Sequence, residues 1–135
     1  PDALPSISII IPTYEGLAHL VPCLVALEST LPGDFQGEVL VVDDGSGSET
    51  ASELAAMEGE KPWLRVLRNS ENLGFIGSCN RGASEARGDL LVFLNDDTVP
   101  LPGWLQALAG TFRTRPEAGV NELAGARDER GTSGT

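Results

Sequence analysis

The sequence predicts an α/β fold, a mainly parallel sheet with helices on both faces, and three observations carry that expectation. Apolar stretches of strand length alternate with stretches of helical periodicity, and such βαβα alternation implies parallel strands joined by crossover helices. Val39-Leu40-Val41-Val42 and Leu91-Val92-Phe93-Leu94 are continuous apolar runs, suited to strands buried on both faces. Three strands end in polar or acidic residues, at Pro12-Thr13-Tyr14-Glu15, Asp43-Asp44-Gly45-Ser46 and Asn95-Asp96-Asp97-Thr98. Open α/β sheets present their ligands at such carboxyl ends.

Each element follows from its local pattern. Ile7-Ser8-Ile9-Ile10-Ile11 reads as the first strand. Leu17, Leu20, Val21, Leu24 and Leu27 recur at helical spacing, and Pro22 within that stretch places the start of the regular helix late, near the proline. A strand over 38–42 follows, then a helix from about 48 to 57 with Ser46 or Ser48 as its cap. Residues 63–67 read as the third strand and 75–86 as the third helix. After a strand over 90–94, Pro102 opens a fourth helix that runs to about residue 112, since proline is tolerated in a first turn. Beyond 119 the residues are charged and small without sustained periodicity, which divides the chain into a structured part over 1–119 and a loose tail over 120–135.

Composition narrows the function classes. A chain of 135 residues, 41% apolar and 21% charged, can bury one core and is too short for two ordinary domains. A net charge of −11 with only nine Lys and Arg speaks against a nucleic-acid surface, which needs clustered basic residues. Cys23 and Cys79 fall in helical patterns without metal-ligand spacing and read as small buried thiols. No stretch resembles a signal peptide or approaches the roughly 20 apolar residues of a membrane span. The expectation is a soluble cytoplasmic domain with no membrane span, with a peripheral position at the inner face of the membrane open to a longer protein.

The acid motif carries the chemistry. Asn95, Asp96 and Asp97 offer hard oxygen donors suited to Mg²⁺ or Mn²⁺ carrying a phosphate. Adjacent carboxylates repel unless a cation or water separates them. An acidic domain that binds a diphosphate must also shield it locally, and a divalent cation does so. Asp43 and Ser46 fit either a helix-start cap or a ligand contact, and both readings stand at this point. Glu49, Glu53, Glu58 and Glu60 read as solubilising charge.

Taken in order, Ser6 to Tyr14, Val41-Val42-Asp43-Asp44-Gly45-Ser46, Asn69-Ser70-Glu71-Asn72-Leu73-Gly74-Phe75, Asn80-Arg81-Gly82, Ala86-Arg87-Gly88-Asp89, Phe93 to Thr98 and Pro102-Gly103-Trp104-Leu105 resemble the N-terminal half of a glycosyltransferase family 2 enzyme of the GT-A fold. The resemblance covers about residues 6–119. It implies the donor-binding portion of an inverting enzyme that moves a sugar from a UDP- or dTDP-sugar to an acceptor hydroxyl in polysaccharide or glycoconjugate synthesis. The nucleotide-sugar donor is one partner, and a glycan or lipid-linked acceptor is met through a C-terminal part that this chain lacks. The family's general base also lies there, so the catalytic residue is unknown for this chain and the chain alone is expected to be inactive.

Residue by residue, the resemblance implies that Pro12, Thr13 and Tyr14 hold the nucleotide base, with the Tyr14 ring as stacking surface. The bland alternative for Tyr14 is an exposed turn aromatic. Glu15, also implied to bind the nucleotide sugar, stands where many relatives carry Asn. Asp44 matches the acid that accepts from the base's ring N–H, which favours uracil or thymine, while Asp43 is structural. Gly74, reached through Asn69 and Asn72 and followed by Phe75, allows close approach of the donor. Asn80, also implied to bind the nucleotide sugar, lies one helical turn later beside Arg81, which fits either a phosphate contact or an ion pair with Glu85. The Asn95-Asp96-Asp97 stretch matches the family's DxD position with Asn in first place. Asp97, with Asn95, is the implied ligand of Mg²⁺ or Mn²⁺, whose role is to stabilise charge on the leaving diphosphate. Asp96 is implied to hydrogen-bond ribose or sugar. Asn95 together with Thr98 resembles the rhamnosyltransferase-like subgroup. His19 reads as a surface residue, and Trp104 as either core packing or a sugar contact.

Two other function classes fit parts of the pattern. A nucleotidyltransferase usually opens with a glycine-rich basic phosphate loop, whereas Pro12-Thr13-Tyr14-Glu15-Gly16 contains no Lys or Arg. A non-catalytic nucleotide-sugar-binding module is the stronger rival.

Overall fold

A computed structural model describes residues 5–114, with side chains to 110. The expected tail over 120–135 lies outside the described residues. Eight elements alternate strictly: β1 (Ile7–Thr13), α1 (Leu17–Thr30), β2 (Gly37–Asp43), α2 (Ser48–Glu60), β3 (Leu64–Arg68), α3 (Gly74–Glu85), β4 (Leu90–Phe93) and α4 (Trp104–Thr114). The strands form one sheet in the order β3-β2-β1-β4, and every pairing is parallel. The α/β architecture expected from the sequence is therefore the one observed.

The sheet separates two apolar layers. On one face, Ile7, Ile9, Ile11, Val39, Val41 and Val92 pack with Leu20, Leu24 and Leu27 of α1, Leu54 of α2 and Leu105 and Leu108 of α4. On the other, Ile10, Leu40 and Val42 meet Ala83 and Ala86 at the end of α3, together with Leu91 and Phe93. Burial on both faces is why these strands read as apolar runs rather than alternating ones. Gly82 lets α3 lie close to the sheet, since a Cβ there would stand 2.6 Å from Ile10 Cγ2.

Two local expectations are corrected. Helix α1 begins at Leu17, not near Pro22, which sits inside it. The proline removes only the bond its own N–H would have made to Ala18, and both residues are exposed, so the Ala18 carbonyl can turn to water. Helix α4 starts at Trp104, two residues after Pro102, because Gly103 takes a left-handed φ of 85° and breaks the helical path between them.

The topology decides where a ligand can sit. Strand β1 runs between β2 and β4, and the chain reverses its direction of travel across the sheet when it moves from β3 to β4. Crevices of open α/β sheets lie at such a switch point, outside the carboxyl ends of the strands. Register places Thr13, Asp43 and Arg68 side by side at those ends on β1, β2 and β3.

Candidate functional site

A crevice of about 290 Å³ opens at the switch point, lined by Pro12, Thr13, Tyr14, Asp44, Gly74, Phe75, Ser78, Asn95, Asp96 and Asp97. All three polar strand ends thus converge on one cavity. Of the residues implied to bind the nucleotide sugar or the cation, Glu15 and Asn80 do not line it, and neither do Arg81 and Trp104, for which a ligand contact was one of two readings. Phe75 and Ser78 do, although neither was selected as a site residue. Ser78 lies four residues after Gly74, so helical spacing from that glycine would have found it.

The β4 end supplies the acids. Thr13 donates its hydroxyl to Asp96 Oδ2 at 2.8 Å, tying the end of β1 to the loop after β4. Behind this pair stands Gly16, where a Cβ would lie 2.4 Å from Asp96 Oδ2 and 2.8 Å from Thr13 Oγ1. Burial pushes the Asp96 carboxyl above its ordinary range. The Thr13 hydroxyl opposes that, the Asp97 charge adds to it, and the charge of the exposed His19 works against it. Burial followed by the field of Asp96 and Asp97 also raises the Cys23 thiol to about 12, so this buried sulfur stays protonated and inert.

Asp44 is 8% exposed and anchors the loop into α3. Its Oδ1 accepts from the Leu73 N–H at 2.6 Å and from Asn69 Nδ2 at 2.9 Å, while Oδ2 accepts from the Gly74 N–H at 3.0 Å. Burial pushes its pKa up, but these bonds and the Ser78 hydroxyl outweigh burial and hold it below the ordinary carboxylate range. Asn69, 2% exposed, also donates to Ser78 Oγ and accepts from Arg81, which in turn donates to the Arg68 carbonyl. Arg81 therefore braces the loop under Asp44, a role that neither the phosphate contact nor the Glu85 pair anticipated.

The β2 end makes a second brace. Asp43, 1% exposed, accepts from the Ser46 N–H and from Arg68 at 2.7 Å. Asp43 thus closes the turn between β2 and α2 without capping the helix itself, which starts after Gly47. Neither Ser46 nor Ser48 caps α2 with its side chain. Instead Glu15 reaches across from the β1–α1 turn, where its carboxylate accepts from the Gly47 N–H at 2.6 Å and the Thr50 hydroxyl at 2.9 Å. The Glu15 N–H donates to Ser46 Oγ at 2.8 Å. Trp104 packs against the core and donates from its indole N–H to Thr30, away from the crevice lining.

The β4 end brings the Asn95 amide and the Asp96 and Asp97 carboxylates into one lining, and of these the Asn95 and Asp97 oxygens are the ones expected to meet a divalent cation. Among the described residues no cluster of three or more His, Cys, Asp or Glu side chains is assembled to hold a metal ion. Mg²⁺ and Mn²⁺ are usually held by one or two carboxylates plus substrate phosphates, and the crevice fits an ion shared in that way.

Residues 8–128 match the family described as Glycosyl transferase family 2. A Haloferax volcanii protein named glycosyltransferase AglE is 33% identical over 111 residues, covering 82% of this chain and 36% of the relative. The solved structure of GalNAc-T7 with UDP, GalNAc and Mn²⁺ superposes with a TM-score of 0.73 at 22% identity, over 83% of this chain and 21% of that one. The mannosyltransferase PcManGT from Pyrobaculum calidifontis, solved with GDP-Man and Mn²⁺, gives a TM-score of 0.72 at 24% identity, over 81% of this chain and 32% of that one. The chain spans about a third or less of the length of these proteins. None of the three names points to rhamnose, and the expected rhamnosyltransferase-like subgroup finds no support in them. Among the described residues no helix is long and apolar enough to cross a membrane.

Proposed function

The chain belongs to glycosyl transferase family 2, and from that premise we propose that it forms the donor-binding part of an inverting glycosyltransferase that uses a UDP- or dTDP-sugar. The observation that carries this reading is the convergence of Tyr14, Asp44 and Asp97 on one crevice at the topological switch point. Two solved proteins of the same fold hold nucleotide ligands and Mn²⁺, which supports a nucleotide sugar with a divalent cation as the ligand class.

In this reading Pro12, Thr13 and Tyr14 form the base-side wall, with the Tyr14 ring, 55% exposed, as its stacking surface. Gly74 opens α3 at a φ of 81° with nothing near its missing Cβ, leaving the backbone open to the donor. Asp97 and Asn95 hold the cation, which when bound stabilises negative charge on the diphosphate. Asp96, seated against Thr13 and Gly16, offers its carboxylate to a ribose or sugar hydroxyl. Asp44 acts at the base through its grip on residues 69–74. The general base for the acceptor hydroxyl, and the glycan or lipid-linked acceptor itself, belong to sequence beyond the acid motif.

A thermal-shift panel of nucleotide sugars with and without Mn²⁺ tests the proposal. Stabilisation by uridine or thymidine diphosphate sugars, larger with Mn²⁺, is the expected result. Stabilisation by no nucleotide under either condition overturns it. Sugar turnover by a longer protein that contains this part separates an enzyme from a non-catalytic binding module.

A further inference from the structure

Glu15 is the one non-glycine residue with positive φ among the described residues, at 49°. A side chain in that region is strained and persists only where its surroundings hold it. Three bonds hold it here. The carboxylate takes the Gly47 N–H and the Thr50 hydroxyl at the start of α2, and the Glu15 N–H is taken by Ser46. The anion also meets the positive end of the α2 dipole. Gly47 N–H and then Thr50 lower the Glu15 pKa, so the anchor is charged at neutral pH. Glu15 itself does not line the crevice, but its neighbour Tyr14 does, and among the described residues no hydrogen bond of the Tyr14 hydroxyl accounts for the ring's placement.

We infer that Glu15 is a positioning residue for Tyr14: by anchoring on α2 it sustains the left-handed turn that directs the tyrosine ring into the crevice. The ligand side of this inference rests on the reading of the crevice as a nucleotide site. The device explains why a residue that does not line the crevice carries a strained backbone beside it. It also links α2, which supplies no crevice residue, to the geometry of the site.

Tyr14 is the single tyrosine of the chain, so 3-fluorotyrosine labelling gives one ¹⁹F signal that reports on this ring without any ligand. Wild type should show one narrow resonance. Glu15→Ala should broaden or split it while circular dichroism shows an intact fold. Glu15→Gln, which turns one of the two acceptor oxygens into a donor facing Gly47 or Thr50 while the backbone stays strained, should do the same and serves if the alanine variant fails to fold. An unchanged narrow signal in the folded variants overturns the inference.

UDP titrations with Mn²⁺ supply the second measurement. Glu15→Ala should weaken UDP by about two- to tenfold, the cost of ordering one side chain on binding. On a Tyr14→Ala background the same change should have no further effect, because its route to the ligand is gone. Additive losses overturn the inference, since a purely structural role would act on both backgrounds alike. If wild type does not bind UDP, the nucleotide reading falls, and the ¹⁹F comparison alone still decides whether Glu15 orders the ring.

Discussion

Thr13 and Asp96, separated by 83 positions in sequence, meet in a 2.8 Å hydrogen bond that joins the end of β1 to the acid loop after β4. The absent side chain of Gly16 leaves the space in which the carboxylate rests. A half-buried acid is thereby held in one orientation beside the proposed cation site.

This seat predicts a graded pair of variants. Thr13→Val keeps the shape but removes the donor, and should weaken Mn²⁺-dependent nucleotide binding by about 1 kcal/mol. Gly16→Ala puts a methyl group where Asp96 Oδ2 lies and should weaken it more. Calorimetry on both variants, with melting curves as control, measures the difference. Wild-type affinity in Gly16→Ala would remove Asp96 from the site.

Asp97 and Asp96 should separate by metal dependence. Nucleotide affinity should rise with Mn²⁺ in wild type, and Asp97→Ala should abolish that rise. Asp96→Ala should weaken binding while leaving the rise in place, because a hydroxyl needs only an acceptor whereas a cation must offset charge on both partners. Titrations with and without metal give all the combinations. Equal metal dependence in wild type and Asp97→Ala would exclude Asp97 as the ligand.

Asp44→Asn should damage the fold as well as the site. Its carboxylate accepts from the Leu73 and Gly74 N–H groups, and an amide presents a donor where one of them needs an acceptor. Stability should fall by about 1 to 3 kcal/mol, and nucleotide affinity should fall in the same direction. Denaturant unfolding and a UDP titration read the two effects separately. An unaltered midpoint would show that these bonds contribute nothing net.

Acid should unfold the domain through its anchored carboxylates. Burial pushes Glu38 up, but the Arg87 N–H, the Ser8 hydroxyl and the charges of Arg65 and Arg87 outweigh it and hold the carboxyl below its ordinary range. Glu15 and Asp44 are lowered as well. Folded, these groups bind fewer protons than unfolded, so their contribution is complete above the unfolded values of about 4.3 for Glu and 3.9 for Asp and disappears as pH falls through the folded ones. Asp96, whose pKa is raised, has the opposite sign and offsets part of this. Urea midpoints should therefore drop below about pH 4.5, and Glu38→Gln should start lower at pH 7 and converge on wild type in acid. Parallel pH profiles would exclude Glu38 from the acid transition.

Sequence by itself determined the elements and the chemistry at the strand ends. Apolar runs and helical spacing are local, so β1 to β4 and α1 to α4 were legible to within a few residues, and so were the acids that follow β2 and β4. The misplaced ends of α1 and α4 turned on single residues, Pro22 and Gly103, whose effect depends on solvent exposure and backbone path. Tertiary structure alone decided the partners. That Glu15 caps α2, that Arg81 braces Asn69, that Asp44 is engaged by the start of α3 and that Thr13 seats Asp96 all depend on groups 12 to 83 positions apart. Such pairs are set by strand order and by which helix covers which face of the sheet. A periodic pattern records that a residue is inside, but not what it meets there, because the meeting is fixed only when the whole sheet has closed around β1.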